Sequence, residues 1–123
     1  MKNLVIDIDK TLTLGDHKDY NLVSPNLNVI NKVREYKNEG FNIILFTARN
    51  MRSHNNNVGK ITAKTLPIIF KWLEKHNVPF DEIYVGKPWC GHDGFYVDDK
   101  AIRPDEFIEK SYNEISKLVG NDY

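Results

Sequence analysis

Cysteine is nearly absent: Cys90 is the only one in 123 residues. A single thiol excludes an internal disulfide and suits a reducing compartment, so a cytoplasmic location is expected. No spacing gives that thiol a chemical partner, and an incidental loop cysteine is the simpler reading. Long apolar runs are missing too. None approaches the ~20 residues that cross a bilayer, and the N-terminal apolar stretch is too short for a signal peptide. A membrane partner is therefore not expected. Neither sign of charge prevails, with 17 Lys and Arg against 17 Asp and Glu, so no nucleic acid is expected as a partner. There is no Gly-rich P-loop, which excludes that class of nucleotide chemistry. There is no repeat, linker or low-complexity tract; Asn55-Asn56-Asn57 is only a short polar patch. The length predicts a single domain, 1–123, large enough for one core.

What is present alternates between two periodicities. Leu4, Val5 and Ile6 run into Asp7 and predict a buried strand over 4–8. Ser24-Pro25 reads as an N-cap followed by proline in the first helical position. Leu27, Ile30, Val33 and Tyr36 continue as a helical stripe, and Gly40 suits its stop. Phe41 to Phe46 predicts the second strand. A second helix is expected to start near Thr65, with Pro67 in its first turn and Leu66, Ile69, Phe70 and Leu73 on one side; Asn77 and Pro79 end it. Short strands are expected at 83–85 and 95–97, and Pro104 opens a last helix carrying Phe107, Ile108, Tyr112, Ile115 and Val119. Strands alternating with helices predict an α/β fold: a Rossmann-like three-layer sandwich around a mainly parallel sheet. Residues 12–23 fit a small hairpin flap with a turn near Gly15-Asp16.

In a parallel sheet, ligands sit beyond the carboxyl ends of the strands. The polar residues that follow each expected strand would gather there. They are Asp7, Asp9, Lys10 and Thr11; Thr47, Ala48, Arg49 and Asn50; Gly86 and Lys87; and Asp98, Asp99 and Lys100. Carboxylates so grouped repel one another unless a cation intervenes. Hard oxygen donors without clustered Cys or His point to Mg²⁺ rather than zinc.

The stretches D-I-D-K-T-L-T, F-T-A-R, G-K-P and V-D-D, in that order, resemble the four motifs of the haloacid dehalogenase (HAD) superfamily. The pattern, including GFYVDDKAIRP, is also similar to small HAD-type phosphatases associated with capsular polysaccharide synthesis. The resemblance implies a HAD-like fold and a phosphatase that hydrolyses a phosphomonoester, with a sugar phosphate as one candidate substrate. It implies Asp7 as the nucleophile that becomes an aspartyl-phosphate. It implies Asp9 as the acid that protonates the leaving alcohol and then the base that activates water. Residues two apart on an extended chain are separated by roughly 7 Å, which suits the two ends of an in-line transfer. Thr47 and Lys87 are implied to hold the phosphate, and Lys87 also to pair with Asp7; Lys100 competes for that role. Ala48 and Arg49 follow Thr47 as further substrate contacts. The Mg²⁺ ligands implied are Asp7, the Asp9 backbone carbonyl and Asp98, with Asp99 acting through water or as an orienter. Many relatives have glycine where Lys10 stands.

No stretch is long enough for a large cap domain, so the chain is expected to be capless. An uncapped site suits a bulky or glycan-linked phosphate, or closure by another subunit, which leaves a homo-oligomer open. Arg52, His54, Trp89 and His92 are candidate contacts at the substrate's periphery, with surface exposure or packing as the plainer reading; His17 and His76 read as surface residues. Two other functions fit the motif set: a phosphotransferase of the same fold, and a receiver-like module phosphorylated on Asp. Receivers, however, place the adjacent acidic pair on the first strand, whereas here it comes last.

Overall fold

Burial that alternates along residues 42–47 places the core against one face of a sheet. The computed structural model describes residues 2–15 and 18–121. The chain forms two units, Met1–Trp89 and Cys90–Tyr123, and each is described by itself.

In the first unit, β1 (Asn3–Asp7), β4 (Asn42–Thr47) and β5 (Glu82–Val85) make a parallel sheet in the order β1-β4-β5. In β4, Ile43, Leu45 and Thr47 are fully buried while Ile44 and Phe46 are half-covered, so one face of the central strand is sealed. Asp7 lies opposite Phe46, and Thr47 opposite Val85. The three strand ends are therefore level, and the chain leaves all of them on the same edge. Ile6 and Ile8, on either side of Asp7, are buried.

Helix α1 (Leu27–Asn38) buries Val29, Ile30, Val33 and Tyr36, and α3 (Leu66–Lys75) buries Ile69, Trp72 and Leu73. Each Ile or Leu so buried contributes about 1.5–3 kcal/mol. Arg34 ties the two helices together: its Nε donates to the Asn77 carbonyl at 3.1 Å and its Nη2 to the His76 carbonyl at 2.9 Å. Those carbonyls, at and just beyond the end of α3, would otherwise lack partners in the helix. His76 is half-buried and tilted against Trp72 at 4.6 Å between ring centres, so it is a packing residue and not simply a surface one. His17 and the expected turn residue Asp16 lie outside the described residues.

Several boundaries differ from the sequence expectation. Ser24-Pro25 does not cap α1. It forms β3 (Ser24–Pro25), antiparallel to β2 (Thr13–Leu14), and Asn26 is the cap, its side chain accepting from the Val29 N–H at 3.4 Å. Serine-proline suits a short edge as well as a helix start, and only the pairing partner decides between them. The 12–23 flap is thus the body of a hairpin arm closed by residues 13–14 and 24–25. An additional helix, α2 (Val58–Lys64), occupies much of the expected polar loop, capped by Asn57, whose Oδ1 accepts from the Lys60 N–H at 3.1 Å. The Asn-rich patch is therefore a helix start. Phe70, expected in the core, is exposed and stacks on Phe80.

In the second unit, residues 95–97 are not a strand, and Phe95 and Val97 are 80% and 88% exposed. Three apolar residues can imply a strand but cannot supply the neighbouring edge it needs. Gly94 holds a tight bend just before them: a Cβ there would stand 2.1 Å from the Cys90 carbonyl oxygen. The last helix is divided. α4 (Pro104–Glu109) buries Phe107, and α5 (Tyr112–Leu118) restarts at Ser111, whose side chain accepts from the Glu114 N–H at 3.2 Å while Glu114 reaches back to the Ser111 N–H at 2.9 Å.

Candidate functional site

The site begins where β1 stops. After Asp7 the chain turns tightly, and the Ile8 carbonyl accepts from the N–H groups of Thr11, Leu12 and Thr13 at 3.3, 2.9 and 3.2 Å. Lys10 makes the turn with φ of 59°, a left-handed conformation that glycine adopts at no steric cost. That explains why glycine would suit this position. The Lys10 N–H donates to Thr13 Oγ1 at 2.8 Å, and its side chain is exposed.

Asp7 faces Lys87, whose Nζ lies 3.6 Å from Asp7 Oδ1. Lys87 is placed by two neighbours: its N–H donates to the Thr47 carbonyl at 3.1 Å, and Gly86 before it takes φ of 90°. Its ammonium also stands 4.4 Å from the centre of the Phe46 ring. The competing lysine, Lys100, bonds Asn121 within the second unit. Burial pushes the Asp7 carboxyl up to about 6; Lys87 draws it down, and the neighbouring Asp9 raises it again.

Asp9 is held from several sides. Thr47 Oγ1 donates to Asp9 Oδ2 at 2.7 Å, and the Tyr20 hydroxyl donates to Asp9 Oδ1 at 2.7 Å. Arg49 Nη1 stands 3.7 Å from that same Oδ1. The Thr47 hydroxyl also accepts from the Arg49 N–H at 2.9 Å. A hydroxyl has one proton, and here that proton goes to Asp9. Thr47 was expected to spend it on a phosphate oxygen, so it would have to turn to do so. Arg49 lies over the Tyr20 ring, 4.6 Å from its centre, and its Nη2 donates to the Lys18 carbonyl at 2.8 Å. The arm and the end of β4 thus meet at Asp9.

The fold therefore brings together Asp7, Asp9, Thr47, Ala48, Arg49 and Lys87 at one sheet edge. Asp98 and Asp99 belong to the second unit, where both are exposed and Asp98 Oδ1 accepts from the Lys100 N–H at 2.8 Å. Among the described residues, no three His, Cys, Asp or Glu side chains stand together as a metal-holding group. Arg52 lies 5.7 Å over Trp89, pairing two of the peripheral candidates with each other. His54 is half-buried and His92 exposed. Tyr20 gave no signal in the sequence, because one aromatic in a polar stretch has no periodicity; only its burial, at 4% exposure, and its reach to Asp9 reveal it.

A crystal structure of a structural-genomics target from Vibrio cholerae is similar to this chain over nearly its whole length. The two are 56% identical, with a TM-score of 0.94 over 98% of each chain. The two proteins belong to one family. The architecture it shares is a small α/β fold, here with a three-stranded parallel sheet and helices. No family model and no curated protein matches the chain. No helix among the described residues is long and apolar enough to cross a membrane.

Proposed function

We propose that the protein is a capless, HAD-like phosphatase that hydrolyses a phosphomonoester through an aspartyl-phosphate on Asp7. The observation that carries this reading is the pairing of Asp7 with Lys87 at 3.6 Å beside an Asp9 held by Thr47 at 2.7 Å, all beyond the ends of parallel strands. Neither carboxylate is spent on a helix cap or a distant ion pair.

In the proposed reaction an Asp7 oxygen forms a bond to phosphorus while the bond to the ester oxygen breaks. Asp9 delivers a proton to that departing oxygen. Asp9 then takes a proton from water as the water oxygen bonds to phosphorus, and the Asp7–phosphorus bond breaks to release phosphate. Lys87 holds negative charge on Asp7 and the phosphoryl oxygens, and the Ala48 N–H, just after Thr47, offers a donor to the same oxygens. The Arg49 guanidinium extends the positive rim toward the substrate.

The donor chemistry suits Mg²⁺: the Asp7 carboxylate and the Asp9 backbone carbonyl are hard oxygen ligands. Asp7 and the Asp9 carbonyl would hold the ion from the first unit. When bound, the ion would offset the charge between the carboxylate nucleophile and the phosphate. A sugar phosphate from polysaccharide synthesis is the proposed substrate class, and a site without a large cap would suit a bulky ester.

The test is phosphate release from a panel of phosphate esters, with and without Mg²⁺, by the native protein and by Asp7→Asn. Metal-dependent release that the variant lacks is expected. Equal release by both proteins would remove Asp7 from the role of nucleophile. Asp9→Asn should trap the phosphorylated protein, and hydrolysis without trapping would count against its second role.

A further inference from the structure

The network around Asp9 contains one residue to which that reaction gives no part. We propose that Tyr20, on the β2–β3 arm, is the positioning residue for Asp9: its hydroxyl fixes Oδ1 so that Oδ2 meets the leaving oxygen and then the water. This rests on the phosphatase reading above, and it follows from counting protons. Asp9 has two carboxylate oxygens and two hydroxyl donors, Tyr20 to Oδ1 and Thr47 to Oδ2, both at 2.7 Å. If the single Thr47 proton turns to a phosphate oxygen, Oδ2 is released for proton transfer and Tyr20 remains on Oδ1. Arg49, 3.7 Å from Oδ1, is too long for a hydrogen bond there and contributes charge rather than direction.

Tyr20 is built for such a task. It is 4% exposed, and its ring is held edge-on to Trp72 at 6.1 Å beneath the Arg49 guanidinium. Trp72 in turn donates from Nε1 to the Val23 carbonyl at 3.1 Å, fastening the returning side of the arm to α3. The Tyr20 hydroxyl has one proton to give, and the carboxylate oxygen 2.7 Å away is its acceptor. A carboxylate with one oxygen fixed has one rotational choice left, and misplacing a reacting group by 1 Å can cost about a hundredfold in rate.

The experiment is turnover of p-nitrophenyl phosphate with Mg²⁺ by Tyr20→Phe, which keeps the ring and removes only the hydroxyl. Nitrophenolate is an easy leaving group, so the step that most needs Asp9 is attack by water. The expected result is a fall in kcat of about 10- to 100-fold, a KM that falls in step so that kcat/KM changes little, and a burst of nitrophenolate as the phosphorylated protein accumulates. Tyr20→Leu, which also removes the ring, should lose the same factor and show the same burst. Unchanged kcat in Tyr20→Phe, a loss confined to Tyr20→Leu, or a loss without a burst would overturn the proposal, because each assigns Tyr20 to packing alone. A measurement on the native protein needs no substitution at Tyr20: its hydroxyl proton should give a downfield, slowly exchanging NMR resonance that shifts in Asp9→Asn. A resonance indifferent to Asp9 would also overturn it. If the native protein hydrolyses no ester, the phosphatase reading fails while the resonance still reports on the hydrogen bond.

Discussion

Asp7 shows how one carboxylate can work against the fold that holds it. Its ordinary value of 3.8 rises to about 6 because burial penalises the charged form more than Lys87 repays. The native state thus binds this proton more tightly than the unfolded chain. Below pH 3.8 both states are protonated and nothing is lost. Between 3.8 and 6 the unfolded chain ionises first, so stability falls as pH rises, and above about 6 the loss is complete. Asp7→Asn removes the charge and should stabilise the metal-free protein at pH 7–8. A shift of this size corresponds to an upper limit of about 3 kcal/mol, and partial exposure reduces it to about 1–2 kcal/mol. Urea unfolding across the pH range would measure it. The gain should disappear below pH 4; a gain constant with pH, or a loss at neutrality, would show that Asp7 is not a strained charge.

At the scale of elements, the loop after β5 is what aims Lys87. Gly86 has φ of 90°, and a Cβ on it would lie 3.0 Å from Val58 Cγ2 on α2. Gly86→Ala therefore meets both an unfavourable backbone and a crowded neighbour, and should cost about 1–2 kcal/mol. It should also displace Lys87 and lower kcat/KM for the phosphate ester that the native protein hydrolyses. Full activity with unchanged thermal unfolding would show the loop to be slack. The elements that this loop joins were legible in the sequence in proportion to what they carry locally. β4 and α1 carry dense apolar patterns, so their positions were readable to within a few residues. Ser24-Pro25 was not, because its role is set by Thr13 and Leu14 across the arm. Phe95 to Val97 misled for the same reason: strand character in three residues depends on a partner that lies elsewhere in the chain. The Asn-rich patch hid a helix because asparagine serves loops and caps alike.

For the molecule as a whole, the strand-end rule supplied most of the candidate site. Asp7, Thr47 and Lys87 were placed by topology alone, since parallel strands bring their carboxyl ends together whatever else the chain does. Tyr20 and the spending of Thr47's proton on Asp9 were beyond that rule, because they depend on how the arm folds back. What remains for the entire protein is whether these groups answer to a cation. A ligand that binds only the folded state raises stability by about 2.7 kcal/mol at a hundred times its Kd. The unfolded chain cannot hold Asp7 and Asp9 beside Lys87 and Thr47, so if the proposed Mg²⁺ binds at this edge it should raise the Tm of the native protein. Protons compete for Asp7, whose carboxyl titrates at about 6. The Mg²⁺-dependent rise should therefore be full near pH 8 and shrink below 6, as affinity falls about tenfold for each pH unit. Asp7→Asn should abolish the rise. A Tm indifferent to Mg²⁺ at pH 8, or a rise that survives in Asp7→Asn, would remove the cation from this sheet edge.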